Sequence, residues 1–318
     1  MCMKEQVYQF LRESSYRQYA DEVIKLLKPS VRIQPQLEAG LSHSHFGGRP
    51  DVPPSFSLPA WDARLYWESQ LQETRADQYM AESYRRDRIT QLQTKLSQDT
   101  VEPLTYLGQI HLRELSSIAT TCGLPSDGVL LFFYDLINYP GGYEVSSKGA
   151  WRCVYLDATE ELAVKPISKN EYKGELFPHC SLSFEEEWMI SLPGPELKDV
   201  SEDIQYWQRL IEVLKEEFGI RLPTVACSIE HRLLGYDGPM QEPMERLCQL
   251  RFNGISGYAK QSPSIEKGVE DWQLLLQIDS DDKVGWEFGD TGRLYFWIRQ
   301  QDLAKHDFSK IWCEMQCA

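Results

Sequence analysis

The sequence predicts an α+β fold: a β-rich, internally duplicated antiparallel sheet core with peripheral helices. Three observations predict it. Residues 104–136 and 271–303 share one order of features: an apolar run ending in Gln-Ile, a polar interval, then a Gly that launches a second apolar run rich in aromatics. Superposed, Leu107-Gly108-Gln109-Ile110 lies on Leu275-Leu276-Gln277-Ile278, and Gly128-Val129-Leu130-Leu131 lies on Gly292-Arg293-Leu294-Tyr295. A Gly/Pro turn also precedes each copy, Phe46-Gly47-Gly48-Arg49-Pro50 and Leu234-Gly235-Tyr236-Asp237-Gly238-Pro239. Finally, 318 residues exceed the roughly 250–300 at which a single core stops growing, so two halves that bury apolar faces against each other are expected.

The elements follow in order. Ser15, with Gln18 three residues on, opens a helix whose Tyr16, Tyr19, Val23, Ile24 and Leu27 share a face and which Pro29 stops. Residues 30–36 alternate as a strand, and Pro35 argues for a sheet edge because it cannot donate to a ladder. Residues 43–59 are too rich in Gly and Pro for regular structure. Residues 62–98 contain no Gly or Pro and balance six acids with six bases, so one long helix or two shorter ones should lie there on the surface.

The first copy predicts a strand at 104–110, a helix at 111–121 with Leu112, Leu115 and Ile118 on one face, and a buried strand at 129–134. Further strands follow at 150–156, 161–165 and 180–190, and a helix at 201–218 ends on Gly219. A strand near 225–229, a short helix at 242–252, a surface loop at 253–268, the second copy and a closing helix at 302–312 complete the chain. The organisation is therefore residues 1–39 as an N-terminal helix and lead-in strand, 40–198 as a first half carrying the helical insertion 62–98, and 199–318 as a second half.

Thirty-three basic against 48 acidic residues give a net charge of −15. This disfavours nucleic acid, which recruits clustered Lys and Arg, and an anionic membrane surface; a basic protein is the compatible partner. Residues 185–218 carry a net −7 and residues 266–290 a net −6, so the charge is concentrated in two stretches. Eight cysteines without a CxxC pair, no signal-peptide pattern and no apolar run of membrane-spanning length point to a reduced, cytoplasmic protein.

Candidate chemistry is sparse. His43-Ser44-His45 has the alternate spacing of a strand-borne metal site but lacks a nearby acid or cysteine. Asp279-Ser280-Asp281-Asp282 begins like a calcium loop, yet Lys283 and Val284 occupy positions that need an oxygen ligand and a glycine. His179 and Cys180 are adjacent, so on a strand they point to opposite faces and cannot form a nucleophile–base pair. No cofactor motif is present.

The segments HFGGRPDVPP, LGQIHLREL with LPSDGVLLFFYD, LLGYDGPMQ, LLLQIDSD and FGDTGRLYFWI, in this order, resemble the YwqG-like family, a bacterial domain of unknown function. The resemblance covers roughly residues 40–60 and 101–317, and the 62–98 insertion departs from it. It implies a β-rich, duplicated fold with no assigned catalytic, cofactor or metal residues, and a non-enzymatic, immunity-type partner of a basic toxin domain as one role. The motif positions Gly47, Gly48, Pro50, Gln109, Gly128, Gly235, Gln241, Gln277, Asp290 and Gly292 are expected to be structural. Gln109 and Gln277 in particular are placed to fasten the preceding turn to the strand through the amide's donor and acceptor. The alternatives are a small-molecule binder or hydrolase that uses a cleft between the halves, and a scaffold acting through residues 62–98.

Overall fold

The computed structural model describes every residue except 38–42, 119–122, 158, 160, 166–175, 192–201, 224–228 and 318. Its helices are α1 (Met3–Glu13), α2 (Ala20–Leu26), α3 (Arg64–Ala76), α4 (Glu82–Leu96), α5 (Glu202–Phe218), α6 (Glu245–Phe252), α7 (Pro263–Lys267) and α8 (Gln300–Leu303). The strands are β1 (Leu27–Gln36), β2 (His45–Phe46), β3 (Asp51–Val52), β4 (Ala60–Asp62), β5 (Val101–Pro103), β6 (Thr105–His111) and β7 (Val129–Tyr134). They continue with β8 (Trp151–Leu156), β9 (Ala163–Val164), β10 (Cys180–Ile190), β11 (His231–Leu234), β12 (Trp272–Asp279), β13 (Arg293–Arg299) and β14 (Trp312–Gln316). The fold is α+β and β-rich, and ten strands form one antiparallel sheet in the order β14-β13-β12-β11-β1-β10-β2-β6-β7-β8.

That order has the same plan from either end. Strands β2, β6, β7 and β8 of the first half correspond to β11, β12, β13 and β14 of the second. The strand that leads into each half is exchanged at the centre: β1 pairs with β11, β10 pairs with β2, and the two pair with each other. Phe46 faces Cys180 as Leu233 faces Val31. A bulge between Tyr106 and Gly108 recurs between Leu274 and Leu276, the positions that the sequence superposes. Residues 199–318 are thus joined to the rest of the sheet through β1, which comes from the start of the chain.

The sheet curls so that its ends meet. Trp151 on β8 and Trp312 on β14 touch edge to face with ring centres 4.9 Å apart, and Phe132 and Phe296 meet at 5.3 Å. One buried apolar cluster runs through both halves. A smaller cluster holds α1, α2 and α5 to the far ends of β1 and β10 through Val7, Leu11, Val23, Leu27, Ile190, Trp207, Leu210 and Leu214. The insertion is a helical pair, α3 and α4. Tyr66, Trp67 and Leu71 bury α3, while α4 buries Leu92 and leaves Tyr84 exposed.

Several sequence expectations need correction. Strand β1 lies at the centre of the sheet rather than at its edge; Pro29 and Pro35 are accommodated because β11 pairs only with Ser30–Ile33, between them. The first helix is not capped at Ser15. Helix α1 precedes it, Ser14 Oγ bonds Leu11 O at 2.9 Å, and a 3-10 turn at Arg17–Tyr19 leads into α2. The helix expected at 111–121 is a 3-10 turn, Leu112–Leu115, followed by a turn at 116–117, and its last three residues lie outside the described ones. A spacing of three between Leu112, Leu115 and Ile118 suits the 3-10 period as well as the α period.

The closing segment is α8, a 3-10 turn and then strand β14, which takes its conformation from pairing with β13. His231–Leu234, for which the sequence offers no strand, is strand β11, and Leu234 of the expected turn closes it. The start of the helix at Ser201, its Ile204 side chain and most of the strand expected near 225–229 lie outside the described residues.

Candidate functional site

The two glutamines occupy matching stations. Gln109, fully buried on β6, accepts from the Asp51 amide at 2.8 Å, and its Nε2 lies 3.0 Å from the His43 carbonyl. Gln277, fully buried on β12, accepts from the Gly238 amide at 3.0 Å and donates to the Glu230 carbonyl at 2.8 Å. In each half the amide ties the chain before and after the Gly turn to the neighbouring strand. The turn itself needs two successive residues at positive φ: Gly47 and Gly48 at 63° and 66°, then Leu234 and Gly235 at 59° and 77°. A Cβ on Gly48 would lie 2.9 Å from the His179 ring and one on Gly235 2.6 Å from Ser30, so both turns press on the exchanged strand.

Gly128 and Gly292 form a second matched pair. A Cβ on Gly128 would approach Leu156 O to 2.5 Å, and one on Gly292 would approach Gln316 O to 2.4 Å. Pro50 is buried, and its carbonyl receives the Lys165 amide at 2.9 Å. Gln241 binds Cys317 O at 2.8 Å through its side chain, whereas Asp290 lies exposed in a turn. A third fastening glutamine escaped the sequence reading: Gln316 accepts from the amides of Met240 and Gln241 and donates to Glu242 O.

Around this shared scaffold the stations differ in chemistry. In the second, Glu230, Arg232, Asp279 and Arg293 are all at least 96% buried, with Arg232 on Glu230 and Arg293 on Asp279. In the first, the corresponding positions hold His43, His45 and His111, and His179 of the lead-in to β10 joins them. The His45 and His179 rings lie 4.3 Å apart and those of His43 and His111 5.4 Å apart. Burial, then the neighbouring His179, pushes His45 down to about 4. Burial likewise lowers His111. Among the described residues, no three His, Cys, Asp or Glu side chains converge as a metal site.

Among the described residues, Cys180, His231 and Asp281 lie near one another in the manner of a catalytic triad. The Asp279 amide donates to His231 Nδ1 at 3.1 Å, so that nitrogen is an acceptor and Nε2–H points to Asp281 at 3.2 Å. Both ring nitrogens are thus committed, and neither can take the Cys180 proton. Burial, reinforced by Asp281, raises the Cys180 thiol, the opposite of what a nucleophile requires. His231 and Asp281 pin the turn after β12. Acids that the sequence grouped as surface charge are therefore partly structural. Asp279 and Asp281 are buried in pairs, Glu266 holds Arg246, and Glu187 holds Arg221 at 2.6 Å. Glu185, Glu186, Glu212, Glu216, Glu217, Asp282, Glu287 and Asp290 remain exposed.

An open groove of about 670 Å³ separates α3 of the insertion from the segment that follows α6 in the second half. Glu68 and Glu73 line one wall, and Tyr143, Glu144, Arg251 and Tyr258 line the rest. The Arg251 guanidinium stacks on Tyr258 at 4.6 Å and donates to the carbonyls of Tyr143 and Ile255, so it is spoken for. Glu73 and Glu144 share a donor, the Gln70 amide, at 3.3 Å each, and Glu73 also accepts from Ser69 Oγ at 3.4 Å. Oε2 of Glu144 is buried with no hydrogen-bond partner among the described residues. Burial and the charge of Glu73 raise this carboxyl.

No described helix is long and apolar enough to cross a membrane. No curated relative matches the chain. The model of a domain of unknown function, DUF1963, matches residues 44–317, which takes in β2 through β14 and leaves α1, α2 and β1 ahead of it. The chain belongs to the DUF1963 family.

Proposed function

We propose that this protein is a non-enzymatic binding protein for a basic protein partner, and that the groove between α3 and the segment after α6 receives a Lys or Arg side chain of that partner. The observation that carries this reading is the Glu73–Glu144 pair: two carboxylates sharing one amide, one of them with a buried, unpartnered oxygen. A guanidinium or ammonium placed there would neutralise both, and Tyr143 and Tyr258 offer ring faces to its stem. The net charge of −15 and the exposed acids of β10 and α5 would steer such a partner toward this protein. The likeness to YwqG-like proteins supports an immunity-type role in a cytoplasmic setting, with a basic toxin domain as the partner. The apolar packing between the halves, from Phe132–Phe296 to Trp151–Trp312, weighs against a substrate cleft in that position.

Purification of the native protein from its own cells at low and at high salt tests the reading. A stoichiometric basic protein should co-purify at low salt and dissociate at high salt, and the Glu73→Gln/Glu144→Gln variant should lose it. Recovery of no basic partner at low salt, or full retention by the double variant, would refute the proposal.

A further inference from the structure

The first station lies on a thin seam. Strand β2 is two residues long and pairs with β10 at two positions, Phe46 with Cys180 and His45 with Ser181, flanked by single amide bonds from Leu182 to Ser44 O and from Gly48 to Phe177 O, both at 3.0 Å. The matching seam of the second half, β11 on β1, runs over four pairs, from Ser30–Leu234 to Ile33–His231. At the thin seam two imidazoles face each other across the exchanged strand, His45 and His179 at 4.3 Å. At the thick seam the same two positions hold Arg232, paired with Glu230, and Ser30. One seam carries imidazole rings, and the other an ion pair and a hydroxyl.

We propose that the first station is an acid-operated latch: a proton taken up by His45, which faces His179, loosens the seam between β2 and β10, while the second station stays closed. His45 Nδ1–H donates to Gly47 O at 2.9 Å, so an added proton goes to Nε2 and leaves the ring cationic. The titratable groups around it come from each packed element: His43 beside it in the chain, Asp51 on β3, Tyr106 and His111 on β6, and His179 before β10. Asp51 favours the cation, but its carboxylate already takes the Gln109 amide at 2.8 Å. Glu114 and Asp127 act on His111 rather than on His45. His179 is exposed, and charge on its ring disfavours charge on His45. Opening exposes His45 and restores its ordinary affinity for protons.

The sign follows from linkage. The closed form holds His45 at about 4 and the open form near 6.5, so the open form binds more protons between those values. The population of open seam should rise about 30-fold between pH 8 and pH 5. Cys180, fully buried on β10 at this seam, reports it. The full-length protein is treated with 4,4′-dithiodipyridine, the modified sites are located by mass spectrometry, and each rate is divided by that of a free model thiol at the same pH. The normalised rate at Cys180 should rise about 30-fold from pH 8 to pH 5, while Cys248 and Cys313, buried in the second half, stay constant. His45→Gln should abolish most of the rise. His179→Gln, at an exposed position that tolerates substitution, should reduce it. A flat Cys180 rate, a parallel rise at all three cysteines, or an undiminished rise in His45→Gln would each overturn the latch.

Discussion

Replacing Gln277 with leucine isolates what the fastening amides contribute. The two side chains are close in volume, so the substitution opens no sizeable cavity and leaves the surrounding packing in place. It removes the acceptor for the Gly238 amide, at 3.0 Å, and the donor to the Glu230 carbonyl, at 2.8 Å. Both partners lie in buried parts of the chain, where water offers little replacement. Each stranded backbone group costs about 1–3 kcal/mol, so the variant should lose about 2–6 kcal/mol of stability. At roughly 2 °C per kcal/mol for a chain of this size, the melting temperature should fall by about 4–12 °C. Thermal unfolding followed by tryptophan fluorescence measures the loss, and hydrogen exchange at Gly238 locates it. Gln109→Leu should cost at least as much, because Gln109 also accepts from Tyr106 Oη at 3.0 Å. A loss below about 1 kcal/mol, with the Gly238 amide still protected, would refute the assignment of these residues as fasteners.

Three further outcomes are expected. Glu314 is wholly buried, receives the Cys248 thiol at 3.2 Å and is pushed by burial to about 8. Its folded value lies above its unfolded value near 4.5, so its protonated form favours the fold at low pH and this stability is lost as pH rises through about 8. Glu314→Gln should therefore leave the melting temperature unchanged near pH 5 and raise it near pH 8.5, as calorimetry at the two values would show. Gly292→Ala should destabilise by several kcal/mol, against about 1 kcal/mol for Gly219→Ala, although only Gly219 has positive φ: an added Cβ meets two backbone oxygens at Gly292 and open space at Gly219. Glu144→Gln should raise the melting temperature of the isolated protein, by relieving repulsion from Glu73, while weakening capture of the basic partner; weaker stability would indicate that the carboxylate has a structural partner after all.

The sequence by itself marked the strands at 104–110 and 129–134 and their counterparts at 272–279 and 293–299, with Gln109 and Gln277 among them. Runs such as Val129–Tyr134 are buried on both faces and carry their own signal, and the recurrence of Gln-Ile and of a Gly before the aromatic run marks positions where the backbone leaves no choice. It could not determine which strand lies beside which. Proline in β1 argued locally for an edge, yet the exchange of β1 and β10 places it at the centre, because pairing depends on contacts between residues some 150–200 positions apart. Short strands such as β11 and β14 carry too few residues for a period and take their form from a neighbour. The fate of the charges was decided the same way. Asp279 and Asp281 appear in sequence as an acidic turn, and only the fold places Arg293 and His231 against them. The groove that holds Glu73 and Glu144 likewise exists only where the insertion meets the second half, since its walls come from segments that the chain itself keeps far apart.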